Sequence, residues 1–455
     1  MASSYPSFSQ QSYEDFFPAD DCFEDDLIEQ QQDYSSHFQM VEQTYPSNSN
    51  TSANATGYPK PQQNNQLKTS TSSIIALNPS ADSKWAKQDF PWSKACMQAL
   101  REKFGLFEYR EKQLEIINCT MSGKDVFVLM PTGGGKSLCY QLPGVVSEGL
   151  TIVVSPLVAL IQDQVMQLTH LGVPTAYLGA GLDMETEQQV YAQLQANELK
   201  ILYITPEKLS KSTKLQNFLS RVNLSRVAID EAHCVSQWGR DFRPDYRECS
   251  YFKKTFPRVP VIALTATATD TVRTDAINQL GLSKDLIQFK TSFNRSNIRY
   301  EVRKKGRDAL EEMVDWIKHT CPNKNGIVYC LSRKDCETVA THLTNLGVKA
   351  QFYHAELDST ERERRQTAWC RNQFQVIVAT IAFGMGINKS NVRFVIHHSM
   401  PKSVEGFYQE SGRAGRDGLV AYSILYYAYH DKNRLETMIR KKDGPQDPNQ
   451  LQQNM

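Results

Sequence analysis

The chain has 455 residues, 40% of them apolar, which is enough to build the cores of two or three ordinary domains. Its apolar runs have the length of strands and fall well short of the roughly 18 residues of a membrane-crossing helix. Ten cysteines occur singly, without the spacing of zinc ligands, as is usual in a reducing compartment. We therefore expect an intracellular protein with no transmembrane span and no zinc site.

The formal net charge of +1 hides an uneven distribution of charge along the chain. Residues 1–80 contain ten acidic side chains and two basic ones, so this stretch carries −8 and the remainder carries +9. A basic body favours a polyanionic partner such as nucleic acid.

Residues 1–82 predict a disordered acidic segment, because Ser, Gln, Asn and Asp dominate and no helical or strand period is sustained. Within it, residues 15–17 and 20–28 alternate acidic with apolar side chains. Such segments can fold onto basic grooves, for example those of single-strand-binding or repair proteins. A merely solubilising tail is the favoured interpretation, and partner binding is the alternative.

From residue 125 onward, β-branched runs alternate with helical stretches, which predicts an α/β fold with parallel sheets. A first series of strands is expected at 125–130, 151–155, 200–204, 226–230 and 260–264, with helices at 136–142, 157–170 and 269–280. A second series is expected at 326–330, 349–353, 375–379 and 393–397. The predicted domains are lobe 1 at 83–288, lobe 2 at 289–431 and a short polar tail at 432–455.

Residues 131–138, Pro-Thr-Gly-Gly-Gly-Lys-Ser-Leu, directly follow the first predicted strand and predict a phosphate-binding loop. The backbone of the loop would surround the phosphates of a nucleotide through Thr132, Gly133, Gly134 and Gly135. Lys136 would reach the β and γ phosphates, and Ser137 would bind Mg²⁺. A glycine-rich turn without a ligand is the alternative, since Met130 occupies the first glycine position of the strict pattern.

Two acidic residues at the end of a later strand would complete the chemistry. Asp230 would hold Mg²⁺, and Glu231 would orient and deprotonate the attacking water. A solvated acidic turn is the alternative, and it is disfavoured downstream of a phosphate loop.

The segment Asp230-Glu231-Ala232-His233 resembles motif II of superfamily 2 helicases, and its surroundings resemble the RecQ family of DNA helicases from about residue 90 to 431. The resemblance implies two tandem RecA-like lobes that bind ATP between them. It places Arg110 and Gln113 at the adenine, and Arg413 and Arg416 of lobe 2 at the phosphates. Arg416 is the expected arginine finger. A solvated basic helix face is the alternative for both arginines.

The same resemblance suggests where DNA is bound. The residues that match helicase motifs Ia, Ib, IV and V are Ser155, Pro156, Gln164, Thr205, Ser332, Arg333 and Thr380. Residues 236–246 resemble the aromatic-rich loop of RecQ helicases, in which Trp238, Phe242 and Arg243 would form a platform for stacking bases. Packing of the two aromatic rings in the core is the alternative.

The sequence therefore predicts an ATP- and Mg²⁺-dependent DNA helicase of the nucleus that acts in repair or recombination on single-stranded and partly duplex DNA. The resemblance implies 3′ to 5′ movement. The chain stops at Met455 without the zinc-binding and winged-helix modules of larger RecQ proteins, so we expect single-strand-stimulated ATPase activity with weak strand separation. An RNA-directed helicase and a truncated DNA-binding or adaptor isoform are the alternatives.

Overall fold

The computed structural model describes residues 82–239, 241–381, 383 and 389–443. Within them the chain forms two α/β lobes, each built on one parallel sheet, which confirms the predicted fold class. The predicted acidic segment lies outside the described residues except for its last residue, and so do residues 444–455 of the predicted tail.

The sheet of lobe 1 has seven strands in the described residues, all paired in parallel. They are β1 (Val126–Leu129), β2 (Leu150–Val154), β3 (Thr175–Leu178), β4 (Ile201–Ile204), β5 (Leu224–Ile229), β6 (Val261–Thr265) and β7 (Ile287–Lys290). Their order across the sheet is β3-β4-β2-β5-β6-β1-β7. The central strands are buried on both faces, as their continuous apolar sequences predict.

Helices cover the two faces of this sheet. They are α1 (Asp82–Trp85), α2 (Ser93–Glu102), α3 (Gln113–Met121), α4 (Leu138–Val146), α5 (Val158–His170), α6 (Met184–Gln195), α7 (Pro206–Lys211), α8 (Thr213–Leu219), α9 (Ser250–Thr255) and α10 (Asp270–Leu280). Apolar side chains of the sheet enter a separate cluster on each face, with Phe127 in one and Val128 in the other. This division follows from the two-residue side-chain period of a strand.

Lobe 2 repeats the arrangement with six described strands in the order β10-β11-β9-β12-β13-β8. They are β8 (Ile298–Lys304), β9 (Gly326–Tyr329), β10 (Ala350–Tyr353), β11 (Val376–Ala379), β12 (Phe394–His397) and β13 (Ala421–Tyr427). Its helices are α11 (Ala309–Thr320), α12 (Arg333–Asn345), α13 (Ser359–Cys370), α14 (Val404–Ser411) and α15 (Tyr429–Asp443). The first strand of the lobe, β8, pairs with the last one, β13, over seven residue pairs.

The nine strands expected from apolar runs are confirmed, whereas β3, β7, β8 and β13 were not predicted. Two predicted boundaries fall inside elements: residue 288 lies within β7, which belongs to the sheet of lobe 1, and residue 431 lies within α15. The helix continues to Asp443 because its buried face, including Asp431 and Leu435, packs on lobe 2.

Candidate nucleotide site and its surroundings

All strands of lobe 1 run in the same direction, so the loops that follow them meet at one edge of the sheet. The loop after β1 carries Lys136, the loop after β2 carries Ser155, and the loop after β4 carries Thr205. Asp230 follows β5, and Thr265 ends β6. The topology therefore brings the predicted phosphate loop and the predicted acids to the same edge.

The phosphate loop lies between β1 and the start of α4. Gly133 and Gly135 have φ angles of 80° and 86°, which favour glycine. A side chain at Gly135 would collide with the amide of Gln113. The Lys136 ammonium donates to the carbonyls of Met130 (3.1 Å) and Pro131 (3.2 Å), so it lies over the loop as a nucleotide-binding lysine should.

The two residues predicted to contact adenine hold this loop from the side. Arg110 Nη1 donates to the Gly133 carbonyl (2.8 Å), and Gln113 Nε2 donates to the Gly135 carbonyl (3.0 Å). The side-chain oxygen of Gln113, Oε1, in turn accepts from the backbone N–H of Arg110 (2.8 Å). Both side chains therefore border the loop, and their contact with adenine stays a prediction.

The acidic pair lies beside Lys136. Asp230 is buried, and the backbone N–H of Glu231, whose φ is 49°, donates to its Oδ1 (3.0 Å). Burial and the neighbouring Glu231 raise the pKa of Asp230, and the Lys136 ammonium opposes this shift. Burial also lowers the pKa of Lys136, although Glu231 and Asp230 act in the opposite direction. The two acids and the lysine therefore form one electrostatically linked group.

The oxygen atoms of this pair fit a hard divalent cation. Glu231 Oε2 is buried without a hydrogen-bond partner, and the Asp230 carboxyl lies next to it. Carboxylate and hydroxyl oxygens are the ligands that Mg²⁺ prefers. In the described part of the chain, no group of three or more His, Cys, Asp or Glu side chains is arranged to hold a metal ion. A cation here would keep water or phosphate oxygens among its ligands.

His233 connects the acidic pair to β6. Its Nδ1 lies 2.7 Å from the hydroxyl of Thr265 and 3.4 Å from Glu231 Oε2. The Thr265 hydroxyl also interacts with the backbone of Thr267. The sequence analysis did not predict this contact, which depends on the pairing of β5 with β6.

The segment of lobe 2 that carries Arg413 and Arg416 lies against the phosphate loop of lobe 1. The turn after α14 returns to the amino end of β12, where the Gly415 N–H donates to the Val392 carbonyl (2.9 Å). Arg413 is buried, and the Arg416 carbonyl lies 3.5 Å from Arg110 Nη2. Burial, together with the positive charge of Arg413, lowers the pKa of Arg416 to about 10. The structure therefore brings Arg416 of lobe 2 to the predicted loop of lobe 1, while Arg413 is buried in lobe 2 beside Tyr329.

Sequence reasoning missed Arg295, which lies in the connection between the lobes. Its guanidinium donates to the carbonyls of Thr132 (2.5 Å) in lobe 1 and Gly415 (2.7 Å) in lobe 2. The hydrogen-bond partners of Arg295 are backbone atoms, so no pattern of side chains in the sequence predicts the contact between the lobes. The predicted boundary at residue 288 placed Arg295 within lobe 2, although it lies in the connection between β7 and β8.

The aromatic-rich loop leaves the site immediately after motif II. Trp238 is 71% exposed, whereas the Phe242 ring is half-buried with the Arg247 guanidinium 5.0 Å from its centre. Arg243 Nη1 donates to the Pro156 carbonyl (2.8 Å) and ties the loop to motif Ia. The exposure of Trp238 fits a stacking surface and opposes the core-packing alternative for this ring. Residue 240 lies outside the described residues.

The remaining predicted DNA contacts differ in accessibility. Arg333 is exposed and pairs with Glu356 (3.0 Å), Ser332 caps α12, and Thr380 is half-buried after β11. Motif V residues 382 and 384–388 lie outside the described residues. Among the described residues, Ser332, Arg333 and Thr380 follow β9 and β11 at the carboxyl edge of the lobe 2 sheet.

Four predicted DNA contacts in lobe 1 are buried, among them Pro156, whose carbonyl accepts from Arg243. Ser155 and Thr205 are almost fully covered, and the Thr205 hydroxyl caps α7 by accepting from the Lys208 N–H (3.2 Å). The Gln164 side chain accepts from Gln141 Nε2 (2.7 Å) inside the lobe. The Gln164 amide therefore has a buried partner inside the lobe, and its contact with DNA stays a prediction.

The two lobes match known families in the order that the motifs indicate. Residues 110–274 match the DEAD/DEAH box helicase family, and residues 306–418 match the helicase conserved C-terminal domain. Two parallel-sheet lobes with a phosphate loop, an Asp-Glu-Ala-His segment and facing arginines define the class of superfamily 2 helicases.

Relatives narrow the class to one family. The chain is 51% identical over 365 residues to the RecQ-like DNA helicase BLM of Xenopus laevis, which covers 78% of this chain and 27% of the relative. It is 47% identical over 369 residues to the ATP-dependent DNA helicase Q1 of Pongo abelii, covering 79% of this chain and 57% of the relative. The chain belongs to the RecQ family of DNA helicases. It spans less than two thirds of the length of these relatives.

Solved structures share the fold at low sequence identity. The DUF1998 helicase MrfA bound to DNA superposes with a TM-score of 0.61 at 18% identity, covering 75% of this chain and 50% of that chain. Dbp5 of S. cerevisiae, bound to Gle1, gives a TM-score of 0.58 at 14% identity, covering 77% and 91%. Among the described residues, no helix combines the length and the apolar character needed to cross a bilayer.

Proposed function

We propose that this chain is an ATP-dependent DNA motor that hydrolyses ATP when it binds single-stranded DNA and uses the cycle to move along the strand. The observation that carries the proposal is the convergence on one phosphate loop of the Asp230-Glu231 pair from lobe 1 and of Arg416 from lobe 2. That arrangement supplies what phosphoryl transfer to water requires, namely a base and positive charge around the transferred group.

The residues divide the chemistry among them. Lys136 would bind the β and γ phosphates, and the Glu231 carboxylate would take the proton of the attacking water. Mg²⁺, held by the Ser137 hydroxyl and Asp230, would offset charge on the transferring phosphoryl group. Arg416 would approach the γ phosphate from lobe 2. Hydrolysis would then depend on the relative position of the lobes, since lobe 1 binds the phosphates and lobe 2 supplies the positive charge of Arg416 to the γ phosphate.

DNA would lie across the carboxyl edges of both sheets, where Trp238 and Arg333 are exposed. Stacking on an aromatic ring binds any base, so this surface suits a strand of arbitrary sequence. Membership of the RecQ family supports single-stranded and partly duplex DNA as substrate, 3′ to 5′ movement, and work in repair or recombination in the nucleus. For the acidic segment a solubilising role is favoured, with binding of repair proteins as the alternative.

Steady-state ATP hydrolysis with different nucleic acids tests the function. We expect single-stranded DNA to stimulate hydrolysis strongly, 3′-tailed duplex DNA to do so comparably, and RNA of the same sequence to do so weakly. Glu231→Gln serves as the inactive control. Stimulation by RNA that equals stimulation by DNA would make the chain an RNA-directed enzyme. A rate of hydrolysis that neither DNA nor RNA changes would reject the proposed motor function.

A further inference from the structure

Arg295 joins the two lobes through backbone carbonyls alone. Its Nη1 donates to the Thr132 carbonyl of the phosphate loop (2.5 Å) and lies 3.4 Å from the Gly412 carbonyl. Its Nη2 donates to the carbonyls of Ala414 (3.2 Å) and Gly415 (2.7 Å). The guanidinium is therefore inserted between the phosphate loop and the turn that carries Arg413 and Arg416.

The local geometry leaves little freedom at this contact. A side chain at Gly133 would lie 2.8 Å from Arg295 Nη1 and 3.2 Å from the Cγ of Arg416. On the other side, Asn297 Nδ2 donates to the carbonyls of Gly415 (2.8 Å) and Leu419 (2.9 Å). Two neighbouring residues of the connection thus hold the same turn.

The contact set identifies what Arg295 does. A guanidinium presents five N–H donors in a rigid plane, so it can bridge acceptors on two separate segments at once. The hydrogen-bond partners of Arg295 are carbonyls and the Asn297 side-chain oxygen, with no carboxylate among them. Arg295 therefore serves to orient these backbone segments, since an ion pair would require a carboxylate among its partners.

We infer that Arg295 is a positioning residue, which fixes the Gly412 to Gly415 turn against the phosphate loop and thereby directs Arg416 toward the γ phosphate. This inference rests on the proposed ATP hydrolysis and extends it to the connection between the lobes. The connection is then a component of the site, because the lobes cannot separate without breaking the bonds from Arg295 to one side.

The inference separates geometry from charge. A lysine at position 295 keeps the charge but offers one nitrogen on a flexible chain, so it cannot bridge Thr132 and Gly415 in the plane that arginine uses. If the role is geometric, Arg295→Lys should resemble Arg295→Ala. If the positive charge alone matters, Arg295→Lys should retain activity.

The experiment measures kcat for DNA-stimulated ATP hydrolysis and the Kd of a fluorescent ATP analogue in the full chain. We expect Arg295→Lys to lower kcat by on the order of 10- to 100-fold, with nucleotide Kd changed by less than about 3-fold. In an Arg416→Ala background, the same change should cost less than about 2-fold, since a positioning residue has nothing left to position. Equal losses in both backgrounds would show that Arg295 acts on the phosphates directly and would overturn the inference.

Controls separate this outcome from misfolding and from failure of the function. Arg299→Ala changes an exposed arginine of β8 whose guanidinium lies 5.9 Å from the Tyr422 ring centre, and it should leave kcat unchanged. Should Arg295→Lys fold poorly, Asn297→Ala removes the second support of Gly415 and should give the same loss of kcat with nucleotide Kd retained; unchanged kcat would overturn the inference. A native chain without DNA-stimulated hydrolysis would reject the proposed function, whereas an active native chain with an unaffected Arg295→Lys variant would reject only the role of Arg295.

Discussion

The hydroxyl of Tyr246 donates a hydrogen bond of 2.9 Å to the main-chain carbonyl of Asp230. Tyr246 is fully buried at the end of the aromatic-rich loop, and burial raises its pKa well above the ordinary value, so it remains a donor. The end of the predicted DNA-sensing loop and the backbone of the predicted Mg²⁺ ligand are therefore joined by one bond.

Removal of that donor should weaken the coupling between DNA and hydrolysis. Tyr246→Phe leaves a buried carbonyl without this partner, which costs about 1 to 3 kcal/mol, and should lower DNA-stimulated ATPase activity more than basal activity. The matched control is Tyr251→Phe, whose hydroxyl donates to Gln216 away from the site. Denaturation and ATPase assays on both variants compare the effects, and equal loss of stimulation in the two would make Tyr246 purely structural.

Glu231→Gln should abolish the base while preserving the shape of the site. We expect hydrolysis to fall by on the order of 100- to 10,000-fold while ATP binding is retained. Lys136→Ala should impair both, because it removes the ammonium over the loop. Single-turnover hydrolysis and equilibrium binding measure the two effects, and normal turnover in Glu231→Gln would remove Glu231 from this role.

Trp238→Ala should reduce stimulation by DNA, since the ring is exposed and available for stacking. The loss of one base-stacking contact corresponds to about 1 to 3 kcal/mol of DNA affinity. Basal hydrolysis should change little. Tyr429→Ala removes a ring of similar exposure in lobe 2 and is the control. Binding of labelled single-stranded DNA checks the prediction, which fails if Trp238→Ala binds as tightly as the native chain.

Gln164→Ala should destabilise lobe 1 and leave phosphate contacts to DNA unaffected. The change removes the buried acceptor of Gln141 Nε2, which costs about 1 to 3 kcal/mol. Gln162→Ala, at an exposed position of the same helix, should cost far less. Urea denaturation compares the two, and the salt dependence of DNA binding should keep its slope in both variants.

His398 should make lobe 2 sensitive to acid. Burial, followed by the charge of Lys305, lowers the pKa of His398 to about 4, and its Nδ1 lacks a hydrogen-bond partner. The unfolded chain takes up the proton near pH 6.5 and the folded chain only near pH 4, so stability falls as pH decreases through this window, by at most about 1.4 kcal/mol per pH unit. His398→Gln should flatten the decline. Identical pH profiles of unfolding in the native chain and the variant would contradict this.

The elements of the fold that have a local sequence pattern could be predicted from the sequence. The strand β1 was expected because four consecutive apolar residues precede a glycine-rich turn, and both of its faces are buried. By contrast, β8 is a mostly exposed edge strand with Arg299 and Glu301, so its residues lack the apolar signal. Its position depends on pairing with β13, a contact that is distant in sequence.

The same distinction applies to the site. Lys136, Asp230 and Glu231 lie within short motifs whose chemistry can be predicted residue by residue, and the structure brings them together. The packing of Gln164 could not be predicted, because its partner Gln141 lies on another helix. Arg295 was missed because its hydrogen-bond partners are backbone carbonyls. Every residue has a backbone carbonyl, so only the fold shows which carbonyls Arg295 contacts.

The pairing of β8 with β13 also sets an order of events during synthesis. Ala421, the partner of Ile298, follows it by 123 residues, so β8 emerges from the ribosome long before its neighbour exists. At about 5 to 20 residues per second, the strand waits roughly 6 to 25 seconds, while lobe 1, whose β7 already closes its sheet, can complete its own fold. During that interval both edges of β8 are unpaired and open to chaperones or neighbouring chains, and pairing with β13 as far as Tyr427 then covers one of them.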